Sequence, residues 1–378
     1  MKSVSSFSRA PKSGLTQRHL RRTPPLRSWL RWNSTGTSNK SRTLLTGSSQ
    51  TTPSETYSVT GIAKQNSWIN DVLPFTPSEL PRVEALHNQP PIVILPGFGN
   101  NSSDYTAPFG EEEFSLAASL QDRGFNVFVV PVERRDWFKV ARALLSRRFW
   151  TKTCTTDPGY TWYLDRVAAT IDEALEETGS TQVDLVGHSA GGWLARAFLV
   201  DGKYIGGGAE VNGSVRRLVT LGTPHQPPPN PSKDVTAGAL SWIDAAAPEE
   251  LLSRHGVKCA CVCGRAVRGN SEAAKNTLGR YAFNSYSMVC GEGEGTEGDC
   301  VVPVRSAGIE GVETLVLDGV FHSMSKVGTY GVKAEPPWYG SGDVVDAWLG
   351  ALVGEAGAEP VGPVGSEEAD PAAAAAAA

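Results

Sequence analysis

The feature that most constrains this chain is a series of short, largely apolar runs spaced along its middle: Ile92 to Leu95, Val127 to Val130, Val183 to Val186, Leu218 to Leu221, Val257 to Val262 and Thr314 to Leu317. A run that is apolar on both alternating faces needs cover on both faces, which is the condition of a strand inside a parallel sheet. Helical patterns fall between these runs. Glu111 to Asp122 stops before Gly124, and Trp162 to Glu177 stops before Gly179, where a C-terminal glycine belongs. In the second, Leu164, Val167, Ala168, Ile171 and Leu175 recur at helical spacing, while Asp172, Glu173, Glu176 and Glu177 face away. Such alternation predicts an α/β fold, a mostly parallel sheet with helices on both faces, and no internal repeat is visible.

A chain of 378 residues is long enough to bury one large core. We assign residues 61–352 to that domain, with small cap insertions near 133–160 and 225–255. No apolar run approaches the roughly 18 residues of a membrane span. The net charge of -5 conceals a split, because residues 1–54 hold ten Lys or Arg and no acid. The remainder carries 25 basic against 40 acidic residues, a net charge of -15. The head, residues 1–60, is Arg-, Ser- and Thr-rich and lacks a continuous apolar stretch, since Arg27 and Arg31 interrupt it. That pattern fits an organellar transit peptide rather than a secretory signal. A basic tail that binds nucleic acid is the alternative, and it is not the one adopted. Residues 353–378 are a Gly/Ala/Glu tail of low complexity.

The chemistry centres on Gly187-His188-Ser189-Ala190-Gly191-Gly192, between the run Val183 to Val186 and a helical stretch Trp193 to Val200. A serine lifted on a strand-to-helix turn needs glycines two residues either side, because side chains there would clash, so Gly187 and Gly191 mark a nucleophile elbow at Ser189. A developing oxyanion needs two backbone donors. One is the amide of Ala190, which follows the nucleophile. The other is sought after an earlier strand, and the turn Leu95-Pro96-Gly97-Phe98-Gly99 offers the amide of Phe98.

Six histidines compete for the role of general base. His19 lies in the head, His87 precedes the first strand, His188 is part of the elbow, and His255 sits in a polar stretch. His225 ends a strand and is a candidate for the pocket lining, as is Trp137. His322 follows the last apolar run, and the chain order serine, acid, histidine favours it. Asp299, 23 residues earlier, is the carboxylate expected to hold its tautomer. Asp318 lies too near His322 along one strand end, and Asp244 falls in the cap. No metal or organic cofactor is called for. Cys259, Cys261 and Cys263 alternate like one face of a strand and read as core residues rather than metal ligands, and Cys290 and Cys300 could form a redox-switched pair, with two free thiols the commoner outcome in a reducing compartment.

Residues from about 90 to 350 resemble the lipase-like α/β-hydrolases of plants, algae and cyanobacteria. The likeness lies in Leu95-Pro96-Gly97, the Gly-His-Ser-Ala-Gly-Gly elbow, Thr220 to His225, Gly298 to Pro303, Gly319 to Ser323 and Pro337-Trp338-Tyr339-Gly340. It implies the α/β-hydrolase fold and a triad of Ser189, Asp299 and His322. At Cys300 that family usually has glycine. The resemblance also favours a plastid over a mitochondrion, which Arg31-Trp32-Asn33-Ser34 would equally suit.

The expected activity is hydrolysis of carboxylic esters, lipid acyl esters above all. Thioesters of proteins or coenzyme A, or a deacylase acting on an inositol acyl chain, are the enzymatic alternatives. A non-catalytic ligand receptor on the same fold is the alternative of another class. The segment Arg134 to Trp150 places Trp137, Val140, Ala141, Leu144 and Leu145 at α-helical spacing beside a basic face, which suits either a cap helix packing its apolar face on the core or contact with an anionic membrane surface. The sequence is silent on oligomeric state.

Overall fold

The computed structural model describes residues 72–74, 86, 88–205, 208–325, 333–334 and 336–350. The head and the Gly/Ala/Glu tail lie outside the described residues.

Among the described residues there are eight strands: β1 Ile92–Leu95, β2 Val127–Val129, β3 Val183–His188, β4 Val215–Leu221, β5 Lys258–Arg265, β6 Val267–Arg268, β7 Glu297–Gly298 and β8 Thr314–Asp318. Six of them form one sheet in the order β2-β1-β3-β4-β5-β8, and every pairing in it is parallel. β6 and β7 make a small antiparallel pair.

The apolar runs behave as their two-sidedness requires, since alternate residues of a strand face opposite ways. Ile92 and Ile94 of β1 enter one core with Val186, Val219, Leu221 and Val262, covered by helices α1 (Leu116–Gln121) and α6 (Gly342–Trp348). Val93 and Leu95 enter the other with Leu185 and Leu218, covered by α2 (Thr161–Thr178) and α3 (Ala190–Val200). All four β1 side chains are fully buried, each stabilising the fold by roughly 1.5–3 kcal/mol before chain entropy is counted. α2 ends on Gly179 at φ 68°, the left-handed glycine read from the sequence.

β2 lies on one side of β1 and β3 on the other, so the chain reverses its progress across the sheet between them. In an open parallel sheet that reversal leaves a crevice beyond the carboxyl ends of the two strands.

Three segments depart from expectation. The helix expected over Glu111 to Asp122 begins only at Leu116, because the buried hydroxyl of Ser115 accepts from the Ala118 amide at 2.9 Å and caps it there. The helices α4 (Ala239–Ala246) and α5 (Glu249–Arg254), in the segment read as a cap, connect β4 to β5 and bury Leu240, Ile243 and Leu252 in the main core. The third is Arg134–Leu145, expected as an α-helix but wound as a 3₁₀-helix. At three residues per turn, positions i and i+3 eclipse. The inward column is therefore Trp137, Val140 and Ala143, while Ala141, Leu144 and Leu145, expected on the apolar face, are exposed.

Candidate active site

Ser189 stands between the end of β3 and the start of α3 at φ 52°, ψ -128°, a conformation an L-residue adopts only under constraint. Its neighbours supply that constraint. A Cβ on Gly187 would come within 2.4 Å of Gly192 Cα, and one on Gly191 within 2.1 Å of the Leu95 carbonyl oxygen. The glycines either side of Ser189 are thus required by contact. Gly97, after β1, packs so closely that its own Cβ would meet Ser189 Cβ at 2.7 Å.

His322 follows β8 and Asp299 follows β7. The His322 Nδ1 donates to Asp299 Oδ2 at 2.7 Å, and the His322 amide donates to the Asp299 carbonyl at 2.9 Å. Asp299 is wholly buried, yet its carboxylate is saturated by donors: the Val301 and Val302 amides on Oδ1 at 2.9 and 2.7 Å, and the Tyr339 hydroxyl with His322 on Oδ2. The Tyr339 distance is 2.8 Å, and its oxygen accepts from the Gly264 amide at 2.7 Å. Four donors on four lone-pair positions hold a buried charge without a cation. The competing carboxylates are engaged elsewhere: Asp318 pairs with Arg265 at 2.6 Å, and Asp244 lies 3.8 Å from Arg196.

Residues 92–287 match the sequence profile described as the Alpha/beta hydrolase family. The chain belongs to that family. Among solved structures, the lipase BlEst2 of Bacillus licheniformis is similar at 17% identity with a TM-score of 0.44, covering 72% of this chain and 95% of that one. The phospholipase PlaB of Legionella pneumophila is similar at 10% identity with a TM-score of 0.36, covering 62% and 53%. The carboxylesterase CesB of Bacillus subtilis is similar at 9% identity with a TM-score of 0.29, covering 68% and 86%. No curated protein matches.

In this Alpha/beta hydrolase family chain, one hydrogen-bonded line runs through His188, which sequence reading had set aside as a base. The His188 Nε2 donates to the carbonyl of His322 at 2.9 Å, and its Nδ1 accepts from the Tyr105 hydroxyl at 2.7 Å. That assignment is forced, because a carbonyl oxygen only accepts. The Tyr105 oxygen in turn accepts from the Gly97 amide at 2.9 Å and from Asn100 Nδ2 at 2.7 Å. His188, passed over in the sequence as part of the elbow, thus ties the loop after β1 to the backbone of His322. Their rings lie 4.7 Å apart. Burial, then the neighbouring His322, pushes the His188 imidazole well below its ordinary range.

The loop after β1 is pinned further by Tyr163, whose hydroxyl donates to the Pro96 carbonyl at 2.8 Å, and by the Trp137 indole, which donates to the Asn100 carbonyl at 3.1 Å. The Phe98 ring packs on Trp137 with centroids 5.0 Å apart. Among the described residues, neither the Phe98 nor the Ala190 amide donates to a protein acceptor. His225 is placed apart from this group. It is fully buried, its Nδ1 faces Arg196 at 3.3 Å, and its Nε2 reaches Thr220 at 3.0 Å. The thiols of Cys290 and Cys300 are free, and no cluster of three or more metal-binding side chains occurs among the described residues.

Proposed function

We propose that this chain is a serine hydrolase of carboxylic esters, acting through an acyl-enzyme on Ser189. The observation that carries this reading is the 2.7 Å hydrogen bond from His322 Nδ1 to the buried Asp299 carboxylate, in a chain that also holds Ser189 at φ 52° on a glycine-bounded turn. With Nδ1 occupied, Nε2 of His322 is the nitrogen left to take the Ser189 proton as the hydroxyl attacks the acyl carbon. Asp299 stabilises the resulting imidazolium. The Phe98 and Ala190 amides donate to the oxyanion, the alcohol leaves with the proton from His322, and water repeats the cycle to release the acid. The aromatic wall of Phe98, Trp137 and Trp162 favours an apolar acyl group. The resemblance to plastid lipase-like hydrolases and the basic head support a plastid setting.

The test is hydrolysis of an ester series of increasing acyl length, with one thioester, by the full chain and its Ser189→Ala variant. Loss of the nucleophile should lower turnover on the order of a million-fold. Preference for the thioester would move the reading to a thioesterase. Equal, residual rates from both proteins across the panel would defeat it and favour a ligand receptor on this fold.

A further inference from the structure

Three residues per turn sort the segment Arg134–Leu145 into three columns. Trp137, Val140 and Ala143 face the core. The next column is Arg135, Phe138, Ala141 and Leu144, all exposed, and the third ends in Lys139, Arg142 and Leu145. Phe138 is 80% exposed, Leu145 92% and Trp150 72%. Trp150, at the end of the short helix Arg147–Trp150, donates its indole N–H to the Leu144 carbonyl at 3.0 Å, so the two turns present one apolar ridge. Large apolar side chains this exposed within one short segment mark a surface built to be covered.

The charge around the ridge says by what. Residues 134–152 hold seven Lys or Arg against one acid, Asp136, in a chain whose residues 55–378 carry a net charge of -15. Arg134, Arg135 and Lys139 are engaged by Asp104, Glu133 and Asp136. Arg142, Arg147 and Arg148 form no ion pair among the described residues. An apolar ridge bordered by uncommitted guanidinium groups is complementary to a surface with an apolar interior and an anionic rim, which is a lipid bilayer carrying anionic headgroups.

We propose that residues 134–150 dock this protein on an anionic membrane surface, with Phe138, Leu144, Leu145 and Trp150 inserted among the acyl chains and Arg142, Arg147 and Arg148 on the headgroups. The ridge is rooted at the candidate site, because Trp137 on its inner column packs on Phe98 and holds the Asn100 carbonyl. Docking there brings acyl chains to the loop beside Ser189 rather than to a remote face. This deepens the ester-hydrolase reading by naming a bilayer lipid as the substrate's source, but docking itself needs no chemistry at Ser189.

The test is flotation of the full-length Ser189→Ala chain with phosphatidylcholine vesicles, with and without phosphatidylglycerol. Two variants are compared in that background: Arg142→Gln with Arg147→Gln and Arg148→Gln, and Phe138→Ser with Leu145→Ser and Trp150→Ser. All six positions are exposed, and unchanged circular dichroism and melting confirm folding. At about 1 kcal/mol per basic residue, the charge variant should bind the anionic vesicles on the order of a hundred-fold more weakly. The apolar variant should lose at least as much, since each inserted large side chain contributes roughly tenfold or more. Because the head is itself basic, parental binding that survives either variant unchanged would assign the affinity to the head and overturn the proposal, as would no binding at all. Loss of vesicle binding without loss of ester hydrolysis in the Ser189-containing chain would leave the catalytic reading standing, so the two fail separately.

Discussion

Acid should destabilise this protein through two imidazoles that face no solvent. His188 and His225 are 1% and 0% exposed. Both are held well below the ordinary value of 6.5, His188 by burial and then by His322, His225 by burial and then by the Arg196 guanidinium. Each stays neutral in the fold and charges when the chain unfolds. Below 6.5 the unfolded state therefore binds more protons than the folded one, and stability falls as pH falls. At about pH 5 each imidazole has gained roughly 2 kcal/mol in the unfolded chain, so the pair costs the fold about 4 kcal/mol relative to about pH 8. The limiting slope is about 2.7 kcal/mol per pH unit, against a total stability typically of about 5–15 kcal/mol. Asp184 acts in the opposite sense in the window just above its ordinary 3.8, because burial raises its carboxyl despite Arg216. Urea unfolding followed by tryptophan fluorescence at steps between about pH 8 and pH 5 measures the slope, which should halve in His188→Gln and again in His225→Gln. A parental slope of one proton or fewer, or one indifferent to both substitutions, would refute the reasoning.

Two further substitutions probe the carboxylate's surroundings. Tyr339→Phe strips a donor from Asp299 Oδ2 and orphans the buried Gly264 amide, which should cost about 2–4 kcal/mol and lower turnover with little change in KM. Stability lost with turnover intact would limit Tyr339 to packing. Cys300 sits at φ 83°, where glycine is at ease. Cys300→Gly should be nearly neutral, because relief of roughly 1 kcal/mol of backbone strain offsets the lost thiol burial, whereas Cys300→Val should cost about 2 kcal/mol or more. Thermal melting of the pair checks this, and equal losses in both would show that the backbone there is unstrained.

What was legible in the sequence was whatever local spacing encodes. β1 announces itself because burial on both faces leaves no polar position, and the elbow because its turn admits only glycine at 187 and 191. Asp299 and His322 were reachable through chain order, the exclusion of Asp318 and Asp244, and the likeness at Gly298 to Pro303 and Gly319 to Ser323. The supporting residues were not. Tyr105 reaches His188 across 83 positions and Tyr339 reaches Asp299 across 40, and a lone tyrosine makes no pattern. Only the Pro337-Trp338-Tyr339-Gly340 likeness drew any attention to the second. The segment from Arg134 misled for a different reason. Trp137 and Val140 are three apart, a spacing that 3₁₀- and α-helices share, and the periods separate only further on, at Ala143 against Leu144.

The line from Gly97 through Tyr105 and His188 to His322 can run in only one direction, since the carbonyl at its far end never donates. A proton added to His188 Nδ1 would present a third donor to a Tyr105 oxygen whose two lone pairs are already taken. Positions 105 and 188 therefore constrain each other as a lock constrains its key. A redesign that replaces one without the other leaves an unmatched polar atom beneath the elbow, and any reshaping of the loop after β1 has to be negotiated with the far side of the sheet.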